Sequence, residues 1–318
     1  MADPRRRRLT AAVLAAAALL VPAVVTATPS AEAASATTGK VVMVDDGDTI
    51  DVDIAGDGTR RPARVRYIGI QTMELHVYSK TPSKLRGECW GVEAAKNLYR
   101  ILSKKRVKLT SQHATSQSGQ NIRPRRNVAV LSGGRYVPTG IMQLDAGLAL
   151  PDLSSDEFTT NLSYMTAAQR AAANRVGMWG DPTHCGIGPA QDAQLAVHIN
   201  WDAAHNDAQN VNGEWIDITN NGAAPVDISG WWIRDAAYRG VKGRGYTFPA
   251  GSVIQPGTHL RLHVGKGTND ANTQYWGLDI PIFANVTGAP RWMADGAWLF
   301  DPQGDLRSWH MYPCRYAC

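Results

Sequence analysis

Val41–Glu74 reads VVMVDDGDTIDVDIAGDGTRRPARVRYIGIQTME, and its alternation decides the fold. Val41 to Ile54 has the apolar periodicity of a strand with a turn at Gly47, Ala55 to Gly58 reads as a hairpin turn, and Ala63 to Ile70 as the returning strand. The acids Asp45, Asp46 and Asp48 crowd the first turn, while Arg66 lies in the second strand and Glu74 ends the polar turn beyond it. If the two strands pair, carboxylates that suit a hard cation, a guanidinium and a candidate general base converge at one sheet edge. Such a group has the parts needed at a phosphodiester: polarisation of the phosphoryl oxygens, removal of a proton from water, and a fork for the developing charge.

Outward from this stretch the period changes. Cys89 to Leu102 reads as a helix with Val92, Ala95, Leu98, Tyr99 and Leu102 on one face, followed by the basic cluster Lys104–Arg106. Val107–Leu109 and Val128–Leu131 read as strands, and Val137–Leu148 and the alanine-rich Leu162–Val176 as helices, so the first half is α+β. After a plausible linker the texture differs. Eight of the ten tryptophans lie beyond residue 200, among short alternating runs separated by Gly, Pro and Asn, the pattern of an all-β sandwich.

The ends and the charge bound the class of protein. Arg5–Arg8, the apolar run Leu9–Val25 and the small residues Ser30–Ala34 read as an export signal over residues 1–35, with no stable membrane insertion afterwards. Residues 36–186 carry 20 Lys and Arg against 14 Asp and Glu, whereas 187–318 carry 9 against 12, so the first half is the one suited to a polyanion. Cys89 and Cys185 fall in one half and Cys314 and Cys318 in the other, which in an oxidising, secreted setting predicts two disulfides. A lone loop histidine such as His76 reads as solvated.

Taken in order, VDDGDTIDV, VRYIGIQTMEL, the helix after GECWGVEAA, RRNVAVL and the late helix closing on GMWGD resemble the staphylococcal-nuclease-like (thermonuclease) family over roughly residues 39–183. The resemblance implies an OB-type five-stranded barrel with packed helices and calcium-dependent hydrolysis of DNA and RNA. Position by position, it implies that Asp48 is a Ca²⁺ ligand, that Arg66 binds phosphate, that Glu74 organises or deprotonates water, and that Arg126 stabilises the transition state. Where the family has an aspartate before the threonine, this chain has Gln71-Thr72. The expected metal set Asp48, Gln71 and Thr72 is therefore poor in charge, which implies weak Ca²⁺ binding, tolerable outside a cell at ~0.1–1 mM. The family's stacking tyrosines are not matched, and Arg123 and Arg125 are expected to add nucleic-acid phosphate contacts instead.

The second half, from about Leu195 to Pro313, is similar to a lamin-tail domain through NGEWIDITN, VDISGW and DPQGD. That implies an immunoglobulin-like sandwich whose tryptophans pack cores and turns, an accessory domain that binds a partner or an envelope polymer. The expected organisation is a signal over 1–35, a nuclease-like domain over 36–186, a linker over 187–194 and a lamin-tail domain over 195–318. The expected activity is that of a secreted calcium-dependent nuclease, with a non-catalytic nucleic-acid-binding or envelope-adhesion protein as the alternative.

Overall fold

The structure, a computed structural model, describes residues 35–76, 87–118, 123–153, 156–235, 245–285 and 294–316. The expected signal, apart from Ser35, and Cys318 lie outside the described residues. Among the described residues, nine strands build the first half: β1 (Ser35–Val44), β2 (Thr49–Ile54), β3 (Ala63–Tyr67), β4 (Gly69–Gln71), β5 (Arg106–Ser111), β6 (Gln117–Ser118), β7 (Arg123–Ser132), β8 (Arg135–Pro138) and β9 (Leu150–Asp152). Five of them close a barrel in the order β3-β2-β1-β5-β7, with β7 returning to pair β3 in parallel. The long strand β1 makes closure possible. Its first six residues pair β5 and its later part pairs β2, with a register shift between Val41 and Met43 that bends it around the barrel. The strand begins at Ser35 rather than at Val41, because the polar run SATTGK finds a full backbone ladder on β5 even without an apolar pattern.

The barrel interior is filled by Ile50, Val52, Val65, Tyr67, Val107, Leu109 and Val128. Three helices pack around it: α1 (Gly91–Leu102), α2 (Thr139–Asp145) and α3 (Asn161–Ala173). The inward row of α1 is Ala94, Leu98 and Leu102, while the expected face residues Val92 and Tyr99 are 42% and 59% exposed. The i, i+4 row of small and branched residues wins the core, and the rotation leaves the bulkier Tyr99 in water. The helix expected over 137–148 is shorter, since Pro138 ends β8 and Gly147, at φ 65°, stops the chain after α2.

The second half holds β10 (Leu195–Asn200), β11 (Trp215–Asn220), β12 (Val226–Asp227), β13 (Trp232–Asp235), β14 (Tyr246–Thr247), β15 (Val253–Ile254), β16 (His259–His263), β17 (Thr273–Tyr275), β18 (Asp295–Phe300) and β19 (Leu306–Tyr312). Two four-stranded sheets, β10-β11-β16-β17 and β14-β13-β18-β19, face one another as a sandwich over Ile216, Ile218, Trp231, Ile233, Leu260, Leu262 and Leu299. The second sheet is buried on both faces. Ala297 and Leu299 of β18 point into the sandwich, whereas Trp298 and Phe300, with Leu306 and Met311 of β19, join the apolar cluster of the barrel half. Double burial explains why all six residues of β18 are buried and why its sequence, DGAWLF, shows no alternation.

Other links tie the halves together. Cys89 and Cys185 form the expected long-range disulfide, and Cys314 is also disulfide-bonded. Asp305, after β18, accepts the Cys185 amide at 3.1 Å from both carboxylate oxygens. Trp179 meets Trp309 edge to face at 5.1 Å, and Gln169 on α3 bonds both Pro313 O and the Arg315 amide. Among the described residues, no helix is long and apolar enough to cross a membrane.

Candidate functional site

The acidic turn between β1 and β2 is held from three sides. Asp46 Oδ1 caps the Asp48 amide at 3.0 Å, the turn's usual local chemistry. The buried side chain of Gln143, on α2, donates to Gly47 O at 2.8 Å and to Ala94 O at 3.0 Å, so one amide fixes the turn to α1. A Cβ at residue 47 would lie 2.6 Å from Ala94 Cβ and 2.7 Å from Thr72 Oγ1, which is why glycine stands there. The result is an Asp48 carboxylate that is only 1% exposed and points into the protein.

Arg66 is the centre of what Asp48 points at. It sits opposite Thr49 across the β2–β3 pair, which brings its guanidinium back over the acidic turn. Its Nη1 pairs with Asp48 Oδ1, and its Nη2 donates to Gln71 Oε1 at 2.5 Å and to Ile70 O at 3.3 Å. Asp48 Oδ1 also accepts from the Thr49 hydroxyl at 3.2 Å, and its Oδ2 takes the Thr72 amide at 2.7 Å. The Gln71 amide nitrogen continues the chain, donating to Thr72 O at 2.9 Å and reaching Glu74 Oε1 at 3.5 Å. Asp48, Arg66, Gln71, Thr72 and Glu74 thus form one connected group.

Glu74 is half-buried, and its backbone is clamped. Its amide donates to Glu88 Oε2 and its carbonyl accepts the Glu88 amide, both at 2.8 Å. Glu88 is next to the bridged Cys89, so the disulfide anchors the clamp. Sequence reasoning missed Glu88, although it lies inside the quoted motif GECWG; only the fold brings residue 88 back to residue 74.

The three arginines of β7 are arranged differently. Arg125 and Arg126 register with Arg66 and Tyr67 across the parallel β3–β7 pair. Arg126 gives its guanidinium to backbone carbonyls, those of Ser116 at 3.0 Å, Arg125 at 2.7 Å and Ala114 at 3.2 Å. Partial burial lowers its pKa and the Glu157 carboxylate opposes that shift, so it is a cation held by the loop at Ala114 and Ser116. Arg125 pairs with Asp156 at 2.5 Å and bonds Ser116 Oγ at 3.2 Å. Arg123, whose side chain is half-buried, starts the same strand.

The oxygens expected to hold Ca²⁺ do not fit that ion as they are placed. Ca²⁺ asks for six to eight oxygens with several carboxylates among them. Here the single buried carboxylate, Asp48, and the Gln71 carbonyl both face Arg66, which fills the position of a cation with an internal one. The other cluster with ligand-type atoms, Cys89, Cys185 and Asp305, is a closed disulfide with a carboxylate beside it, so its thiolates are spent.

The sandwich reaches this site too. Arg234 on β13 is fully buried, and its Nη2 contacts Met73 Sδ at 3.4 Å, one residue from Glu74. Burial raises the pKa of Asp152 on β9, where Arg66, Arg125 and Arg234 all act to lower it, so cations from both halves bear on one carboxylate. Neither Asp152 nor Arg234 is distinguishable in sequence from an ordinary strand residue. Comparison with known proteins matches residues 192–314 to the family described as Lamin Tail Domain. No curated protein matches the chain.

Proposed function

We propose that this protein is an exported phosphodiesterase that cleaves DNA and RNA, with the barrel, of the oligonucleotide-binding type, holding the polynucleotide. The observation that carries the reading is the connected group from Asp48 through Arg66 and Gln71 to Glu74. The closed five-strand order and the surplus of lysine and arginine in residues 36–186 support the barrel's role. The closed disulfide supports an oxidising destination, consistent with secretion.

In this reading a substrate phosphate competes with Asp48 for the Arg66 guanidinium, forming a bidentate pair that orients the phosphorus. Glu74, held by Glu88, takes a proton from the attacking water as the water oxygen bonds to phosphorus and the P–O ester bond breaks, the leaving nucleotide oxygen taking its proton from solvent. Arg126, on β7, leaves its carbonyl partners to meet charge developing on the phosphoryl oxygens, and Arg123 and Arg125 bind flanking phosphates. Asp48 returns Arg66 to its resting pair when product leaves. No step is assigned to Ca²⁺, because Asp48, Gln71 and Thr72 do not fit it while Arg66 stands between them.

A second reading is favoured by the same ion pair. Arg66 is only 6% exposed, and a guanidinium locked to Asp48 suits a barrel that binds polynucleotide without cutting it. The test uses the full chain with DNA and RNA, in chelator, Mg²⁺ or Ca²⁺, beside Glu74→Gln. The expected result is cleavage that falls by about 10²–10⁴-fold in the variant, the usual worth of a general base. Cleavage unaffected by Glu74→Gln overturns the site, and binding without cleavage under every ion selects the second reading.

A further inference from the structure

A cavity of about 600 Å³ opens between the two halves, beside the clamp that holds Glu74. Its barrel wall is Met73, Glu88, Trp90 and Glu93, and its sandwich wall includes Trp232 and the Pro302–Gly304 turn. We propose that this cavity receives a nucleobase of the bound polynucleotide, stacked on Trp232, and so supplies the aromatic platform that the barrel lacks. The inference rests on the polynucleotide reading above and adds to it the subsite that grips the base next to the reacting phosphate.

Three observations converge on a flat, amino-bearing ring. Trp232 is half-buried and packs against the barrel's apolar cluster; one face of its indole is stacked on Phe300 at 4.2 Å and 11°, so the ring is held rigid while it lines the cavity. On the barrel wall Trp90 is backed by His184 at 3.7 Å and 18°, a second fixed aromatic element. Glu88 and Glu93 lie in the same lining, carboxylate acceptors for an amino group on the ring.

Charge sets the orientation. Glu88 and Glu93 line the cavity and repel phosphate, which leaves the backbone outside with the basic barrel. Carboxylates accept from the exocyclic amino groups of adenine, cytosine and guanine. The volume lies in the range of small-ligand sites and holds one nucleoside with water. Position fits as well: Glu88 binds the Glu74 backbone through two bonds of 2.8 Å, so a base in the cavity is adjacent to the phosphate on which Glu74 would act. The lamin-tail half then becomes part of the substrate site.

The experiment uses the full chain. Binding of a labelled single-stranded oligonucleotide is followed by fluorescence anisotropy in the Glu74→Gln background, with Trp232→Leu and Trp232→Phe added in turn. Free adenosine and choline are titrated separately by ligand-observed NMR. The dissociation constant is expected to rise about tenfold or more in Trp232→Leu and to stay within about threefold in Trp232→Phe, with saturable adenosine binding lost only in the former. Unchanged oligonucleotide affinity in Trp232→Leu, with the wild-type melting temperature retained, overturns the proposal. So does saturable binding of choline in place of adenosine, which marks the cavity as a site for organic cations. Adenosine binding that depends on Trp232, in a protein that neither binds nor cuts polynucleotide, retains the base pocket and overturns the nuclease reading instead.

Discussion

At the scale of single residues, the chemistry turns on what Arg66 is paired with. The guanidinium between Asp48 and Gln71 neutralises the buried Asp48 carboxylate at rest, and removing it would leave that charge buried without a counter-ion. Arg66→Ala is therefore expected to cost about 3–5 kcal/mol of stability by chemical denaturation, the penalty for breaking a buried pair. A cost under 1 kcal/mol would mean that water reaches Asp48. Gln71→Asp probes the same balance from the other side. A second carboxylate beside Asp48 outweighs one guanidinium, so Ca²⁺ binding measured by calorimetry is expected to strengthen at least about tenfold over the wild type. An unchanged Ca²⁺ affinity would place Gln71 away from any cation position. The sequence made Asp48, Arg66 and Glu74 legible as a group, since they bracket one hairpin, while Gln71 entered only through the family resemblance. It did not reveal that Arg66 would stand in the cation's place, because both partners are set by the register of Arg66 opposite Thr49. Glu88 was illegible for a related reason: its distance of 14 residues from Glu74 is closed by tertiary packing alone.

At the scale of elements, burial pattern separates what could be read from what could not. Strands with one wet face, such as β11 with its alternating TrpIleAspIleThrAsn, announce themselves. Strand β18 does not, because the barrel covers the face that water would otherwise have patterned. Trp298, fully buried on that face, is expected to cost about 3–5 kcal/mol when changed to Ala, measured by urea unfolding. A loss below 1 kcal/mol would show that the sheet does not need the barrel. The loop before β11 carries a second measurable load. Burial pushes the Glu214 carboxyl up to about 7, although the Ile282 and Phe283 amides work against the shift. A carboxyl whose folded pKa is raised favours the fold when protonated. Its contribution is fully present below the unfolded value near 4.5 and is lost as pH rises through about 7. Glu214→Gln is expected to be more stable than the wild type at pH 8, by up to about 3 kcal/mol, and no more stable at pH 4. Equal gains at both pH values would assign the effect to packing instead of charge.

At the scale of the whole molecule, the sequence suggests two domains joined by a linker, and among the described residues from 35 onward the barrel's apolar cluster takes in part of the sandwich's second sheet. A polar, loosely packed junction would let the halves unfold separately. This junction has Trp298, Phe300, Leu306 and Met311 merged with the barrel's apolar cluster, the Trp179–Trp309 contact, the Asp305 bonds to the Cys185 amide, and Arg234 buried against Met73. Each half would have to expose a large apolar face to exist alone, so neither is expected to melt independently. Scanning calorimetry of the full chain should show a single transition whose calorimetric and van't Hoff enthalpies agree. The disulfide should act on that same transition. Cys89 and Cys185 are 96 residues apart, and in the chain-entropy model such a bridge restricts the unfolded chain by about 4–5 kcal/mol. Replacing both cysteines with alanine is expected to lower the melting temperature of the whole molecule without splitting the peak, because the bridge and the shared core constrain the same unit. Two resolved peaks in the wild type would show that the halves are independent, and a split appearing only in the double variant would show that the bridge, and not the apolar core, couples them.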